Sequence, residues 1–170
     1  RIPASVASVD EAAFRGSSVG GVEVAGGNPH LASYEGVLYD ADQTSLLLVP
    51  EGKQGAARIP KAAEVVPADA FSHCASVTAI EADAGSAAFS SRNGCLYDAA
   101  GETLLRVPAG AEEVEIADGC ATVATGALEG CAKLRSIQAP ASVAEVSPDV
   151  LGAAGAADGD GVPVASIGSS

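Results

Sequence analysis

The strongest constraint on this chain is its self-similarity, because whole runs of residues return 57 or 58 positions later. Arg1-Ile2-Pro3 returns as Arg58-Ile59-Pro60, and Ala13-Phe14 as Ala70-Phe71, both at 57. Gly36-Val37-Leu38-Tyr39-Asp40 returns as Gly94-Cys95-Leu96-Tyr97-Asp98 at 58, and Leu46-Leu47 with Val49-Pro50 as Leu104-Leu105 with Val107-Pro108. A third pass runs from Ile116 to Ala127-Leu128. A fourth, shorter one begins 23 residues later at Ala139-Pro140-Ala141-Ser142-Val143 and closes on Val150-Leu151. A chain built this way hides the apolar edge of each repeat only against its neighbours, so it stacks rather than collapsing around one centre.

Aligned, the passes give four apolar columns: Ile2, Ile59, Ile116 and Ala139; Val6, Ala63, Cys120 and Val143; Val9, Val66, Val123 and Val146; Phe14, Phe71, Leu128 and Leu151. Between them, Ala12 to Gly16, Asp69 to Cys74 and Gly126 to Ala132 read as a helical turn or two, too short to stand alone. Val22 to Val24, Ile80 to Ala82 and Leu134 to Ala139 read as short strands. Gly36 to Asp40 and Leu46 to Val49 have the pattern of a β-hairpin, repeated by Gly94 to Asp98 and Leu104 to Val107. Pro50 and Pro108 end the second strand of each, since proline has no N–H to continue a ladder.

The run I-P-x-S-V-x-x-V-x-x-x-A-F, as in Ile2 to Phe14, followed by a cysteine slot, resembles the BspA-type leucine-rich repeats of bacterial surface proteins. The second pass carries the slot as Ala70-Phe71-Ser72-His73-Cys74 and the third as Ala127-Leu128-Glu129-Gly130-Cys131. The insertion G-x-L-Y-D followed by L-L-x-V-P also belongs to that likeness. Two departures stand out: Ser17 replaces the cysteine in the first pass, and Lys61-Ala62-Ala63 follows Ile59-Pro60. The resemblance implies an α/β leucine-rich-repeat solenoid, strand-rich with short helical turns, with β-hairpin insertions in the long repeats. It covers residues 1–151, as two long repeats of about 57 residues and then shorter ones. Residues 152–170 read as a flexible Gly/Ala/Asp-rich tail, or a weak end strand at Val162 to Val164. The resemblance also implies export to the cell surface, adhesion and binding of other proteins, with no ligand carried over residue by residue.

Composition narrows the function classes. With 22 Asp plus Glu against 9 Lys plus Arg, the 170-residue chain carries a formal charge of −13, and only 4% of it is aromatic. That balance excludes a nucleic-acid binder. Nearly half the residues are hydrophobic, but about a fifth of the chain is alanine and there is no Met or Trp. Such small side chains suit thin layers better than a large globule. No apolar run approaches the roughly 18 residues of a membrane span. The chain starts at Arg1, so we expect it to be a processed piece whose signal peptide and anchor lie elsewhere.

Candidate chemistry is sparse. His73 beside Cys74 is the one His–Cys neighbourhood, and adjacent side chains seldom converge as a nucleophile–base pair. His30, on a Gly-rich loop, has no nucleophile elbow near it. Cys74, Cys95, Cys120 and Cys131 fall in apolar columns and read as packing residues. A Cys74–Cys131 disulfide is disfavoured, because two strand layers at ~4.8 Å each put the slots roughly 10 Å apart. Asp158-Gly159-Asp160-Gly161 lacks the remaining ligands of a calcium loop. Hydrolysis by paired carboxylates needs two acids about 5–10 Å apart, and the sequence brings no such pair together. We expect no enzymatic activity, no cofactor and no metal.

One set of residues is a candidate for binding. Glu23, Glu81 and Gln138 fall between inward-facing strand positions and should form an outward polar column, suited to cationic or hydroxyl-rich partners. The expected function is therefore a monomeric, extracellular or cell-surface repeat protein that binds a protein or glycan. A structural spacer for other domains of a longer surface protein is the alternative. Solenoid ends are normally capped, so Ile2 and Val6 are expected to form an uncovered apolar edge.

Overall fold

The computed structural model describes residues 1–146; the expected close of the fourth pass at Val150-Leu151, with the column member Leu151, and the 152–170 tail with its Asp158-Gly159-Asp160-Gly161 run, lie outside them. The described chain is strand-rich. Its strands are β1 (Leu31–Tyr34), β2 (Val37–Asp40), β3 (Leu46–Leu48), β4 (Gly55–Ile59), β5 (Val77–Ala82) and β6 (Phe89–Arg92). They continue with β7 (Cys95–Asp98), β8 (Thr103–Arg106), β9 (Glu113–Glu115), β10 (Thr122–Val123), β11 (Ser136–Gln138) and β12 (Glu145–Val146).

Two antiparallel meanders carry the long repeats. β1 pairs with β2 and β2 with β3; β6 pairs with β7 and β7 with β8, each pair in the same register 58 residues later. The meander was wider than the sequence suggested, because β1 and β6 add a strand before each expected hairpin. The tight turns Glu35-Gly36 and Asn93-Gly94 make this possible: φ is positive at all four residues, as the primed hairpin turns require. The central strands β2 and β7 each bury three residues in a row, Val37-Leu38-Tyr39 and Cys95-Leu96-Tyr97, because both of their faces are covered.

Parallel pairs link one pass to the next, and the chain alternates between two sets of them. The first set is the Ile2–Val24 bridge, β4 with β5, and β9 with β11. The second is the Ser45–Val65 bridge and β8 with β10 with β12. Strands β4, β9 and β10 were not expected as separate elements, yet they hold the partners of these pairs.

Helix is almost absent among the described residues. The expected turn at Ala12 to Gly16 is a 3₁₀ turn, Glu11–Phe14, with Asp10 capping it through the Ala12 N–H at 2.8 Å. The expected helical turns at Asp69 to Cys74 and Gly126 to Ala132 are instead runs of tight turns. Their bonds reach only three residues back: Ser72 N to Asp69 O and Cys74 N to Phe71 O, both 3.0 Å, and Glu129 N to Gly126 O, 3.0 Å. Segments this short close no α-helical nucleus, so the α component of the expected class reduces to one 3₁₀ turn among the described residues.

The core follows the columns. Ile59, Ile116, Ala63, Cys120, Val123, Phe71 and Leu128 are buried; Val66 of the second pass and Val6, Val9 and Phe14 of the first are only partly so. A layer with neighbours on both sides is better covered than one at an end, as stacked repeats require. The expectation for Ile2 is corrected: it is buried, packed with Val22, Leu31 and Leu38, and Val6 is half-buried against the same group. The first meander folds back over this edge and covers it.

Candidate functional site

The first set of parallel pairs positions the candidate binding residues. Glu81 stands opposite Arg58 in the β4–β5 register, and Arg58 Nε lies 3.3 Å from Glu81 Oε2. Two residues on, Asp83 Oδ1 is 3.8 Å from the same guanidinium and Asp83 Oδ2 accepts the Tyr34 hydroxyl at 2.6 Å. One cation is thus held between two carboxylates, with a phenol on the outer acid. The hydrogen bond to Asp83, and then burial, hold the Tyr34 hydroxyl above its usual pKa. The carboxylate of Glu81 in turn raises that of the Arg58 guanidinium.

Glu23 and Gln138 are both exposed, but only Gln138 lies on a strand, because the expected strand Val22 to Val24 reduces to the single Ile2–Val24 bridge. Glu23 precedes Val24, whose bridge to Ile2 closes the first pair, and its carbonyl accepts the Ile2 N–H at 2.7 Å. Gln138 ends β11, opposite Glu115 of β9. The three residues therefore occupy three separate parallel pairs. The meander corners stand between the pairs: Gly36 O accepts from Val22 N at 2.9 Å and Gly94 O from Ile80 N at 2.8 Å. Asn93 Nδ2 then donates to Glu115 O at 3.1 Å.

Sequence reading missed Arg58, Asp83 and Tyr34. A signal for Arg58 was present: it repeats Arg1 beside the inward Ile59, so it points outward next to whatever strand pairs with β4. Nothing in the repeat announces Asp83 or Tyr34, because the corresponding position to Tyr34 in the second meander is Arg92. That side chain bonds a different partner, the Asp118 carbonyl, at 3.3 Å.

The cysteines and histidines show no converging chemistry. Cys74 Sγ lies 3.7 Å from both the Val49 and Pro50 carbonyls, and Cys131 Sγ 3.7 Å from that of Val107. Burial pushes the thiols of Cys74 and Cys131 up to about 11 and that of Cys95 to about 12, so they stay protonated at neutral pH. All four cysteines are free and buried. His73 is exposed, and His30 is exposed on a turn in which Asn28 Oδ1 accepts its backbone N–H at 2.8 Å. No group of three or more His, Cys, Asp or Glu among the described residues is arranged to hold a metal ion. No helix among them is long and apolar enough to cross a membrane.

Comparison with solved structures gives three similar chains. A leucine-rich repeat protein from Eubacterium ventriosum shares 17% identity and a TM-score of 0.46 over 58% of this chain. The pneumococcal vaccine antigen PcpA shares 21% identity and a TM-score of 0.49 over 81% of it. A leucine-rich cell surface protein from Faecalibacterium prausnitzii shares 25% identity and a TM-score of 0.42 over 55%. The match spans 30%, 38% and 29% of those chains respectively, so each is much longer than the part matched. No family model and no curated protein matches this sequence.

Proposed function

We propose that the chain is a non-enzymatic repeat solenoid of the bacterial cell-surface type, binding another protein or a glycan through the outward side chains of its first set of parallel pairs. The observation that carries this reading is the Arg58–Glu81–Asp83–Tyr34 cluster: strand register sets Arg58 beside Glu81, both about half exposed, and Asp83 just past β5 links the guanidinium to the partly buried Tyr34. Such a row offers fixed donors and acceptors at low ordering cost. Glu23 and Gln138 extend the offer to the pairs on either side, and the net charge of −13 favours a cationic partner. The BspA-like motifs support a surface location, and the alternating parallel pairs support the solenoid.

The test is a screen of the chain against extracellular-matrix proteins and glycans, followed by titration of each hit with a Glu23→Lys/Glu81→Lys variant. A cationic partner should lose at least about tenfold in affinity, the worth of one or two charge-assisted contacts. Unchanged affinity for every hit would remove this face from consideration. A spacer role within a longer surface protein is the second reading, supported by the meander corners that join one parallel pair to the next. It predicts no hit at all, together with loss of function of a neighbouring domain when the repeats are deleted.

A further inference from the structure

The two junctions between successive passes are built from equivalent residues but are filled differently. In the second junction Arg106 is buried to 2% exposure, and its guanidinium spans the gap. Nη1 donates to the Gly126 carbonyl and Nη2 to Ser72 Oγ at 3.4 Å. In the first junction the residue equivalent to Arg106 is Leu48, and the positions equivalent to Ser72 and Gly126 are Arg15 and Asp69. There an open cleft of about 70 Å³ remains, lined by Phe14, Arg15, Leu48, Glu51, Asp69 and His73 among others.

The turn slots of the two junctions also differ. Gly130 has a left-handed φ of +79°, and a Cβ there would lie 2.2 Å from the Ser72 carbonyl oxygen, so the third pass touches the backbone of the second. His73 holds the same slot one pass earlier, and its backbone is not among those with positive φ. Beside this slot the passes meet alike, with Cys74 Sγ 3.7 Å from the Val49 carbonyl and Cys131 Sγ 3.7 Å from that of Val107, so the junctions differ in the side chains that fill them. The gap that Arg106 closes in one junction is left open in the other.

We propose that this cleft takes an arginine side chain presented by a partner polypeptide, as the second junction takes Arg106. The apolar walls are supplied by Phe14, Leu47 and Leu48, with Leu47 39% exposed. The polar ends are carboxylates: Asp69 adds a side chain at the position equivalent to Gly126, whose backbone carbonyl holds Arg106, and Glu51 is already fixed by accepting the Gly16 N–H at 2.7 Å. These two acids outweigh the exposed Arg15 at the rim, and the overall charge of −13 draws a cation inward. The cleft is built from other segments than the strand face, so it stands or falls independently of that face.

The probe is the capped peptide Gly-Ala-Arg-Ala-Gly, titrated into the ¹⁵N-labelled chain, with a copy carrying neutral citrulline in place of arginine. The arginine peptide should shift the amides of Gly16, Glu51, Ala70 and His73, with the citrulline peptide about tenfold weaker. Asp69→Asn, at an exposed position, should weaken binding by a similar factor, and Arg15→Ser should tighten it. An Arg15→Ser/Leu48→Arg variant recreates the second junction and should abolish the titration. If it fails to fold, Asp69→Asn decides alone. Absence of shifts in these amides, equal shifts by the two peptides, or an Asp69→Asn variant that binds unchanged would each overturn the proposal.

Discussion

The thiol of Cys131 points at the carbonyl oxygen of Val107, 3.7 Å away. Cys74 makes the same contact with Val49 one pass earlier. Val49 and Val107 each precede a proline that stops the strand, so a small apolar residue with one weak donor suits the slot. Burial holds the two folded thiols near 11, against about 8.5 for an exposed cysteine. As pH rises, the unfolded chain releases these protons first. The stabilisation is therefore complete below about pH 8.5 and is lost as pH climbs through the folded values. Melting curves should show Tm falling by on the order of 10 °C between pH 8.5 and 11, with a Cys74→Val/Cys131→Val variant falling distinctly less. Parallel slopes for the two proteins would remove the thiols as the cause.

The Arg58–Glu81 pair should contribute little to folding. Both side chains are about half exposed, and solvent screens such a pair. Glu81→Ala and Arg58→Ala should each leave the urea midpoint at about 0.15 M salt close to that of the parent chain. A double-mutant cycle should give no resolvable coupling. A resolvable coupling would show that the cluster is a structural clamp, and binding losses at Glu81 would then no longer report contact.

Much of the layout was legible in the residues, and the losses have physical causes. The columns at Ile59, Ala63 and Phe71 were readable because stacking forces the same apolar type at the same offset, and these side chains are buried. Both expected hairpins formed, since Tyr39 and Tyr97 mark their buried centres. Strands β1 and β6 were missed because Leu31–Tyr34 and Phe89–Arg92 bury one end residue each and show no alternation. The turns at Asp69 and Gly126 were read as helical because three-residue and four-residue periodicities are indistinguishable over six residues. Of the candidate site, Glu81 was placed outward from alternation alone. Asp83 and Tyr34 meet only through the fold, 49 residues apart, and no local pattern encodes that.

Two aspartates should confer acid sensitivity. Asp98 Oδ1 accepts the N–H groups of Glu102 at 2.9 Å and Thr103 at 3.2 Å, and Asp40 Oδ1 those of Thr44 and Ser45 at 2.7 and 3.1 Å. Burial alone would raise both carboxyls, but these hydrogen bonds outweigh it and hold them below their usual value. Stability from a depressed carboxyl is present above the unfolded value of about 3.9 and is lost as pH falls through the folded one. Asp98→Ala should cost about 1 kcal/mol at pH 7 and much less at pH 2, measured by urea unfolding. The same deficit at both pH values would show that the cost lies in the turn geometry and not in the charge.

Contact between successive passes can be tested at one slot. Gly16 and Gly130 both have left-handed backbones, with φ of +70° and +79°, yet their surroundings differ. A Cβ at Gly16 meets nothing within 4 Å, whereas at Gly130 it would lie 2.2 Å from the Ser72 carbonyl oxygen. Gly16→Ala should therefore cost only the left-handed strain, about 1 kcal/mol. Gly130→Ala adds a backbone clash that no rotamer relieves, and its cost should reach about 3 kcal/mol or more. The clash should also separate the second and third passes. That loosens the contact of Arg106 with Ser72 Oγ and the Gly126 carbonyl, and increases hydrogen exchange at Val107, whose N–H donates to Ala127 O at 2.8 Å. Equal losses at the two glycines, with no change in exchange at Val107, would mean that the third pass does not rest on the second at this point.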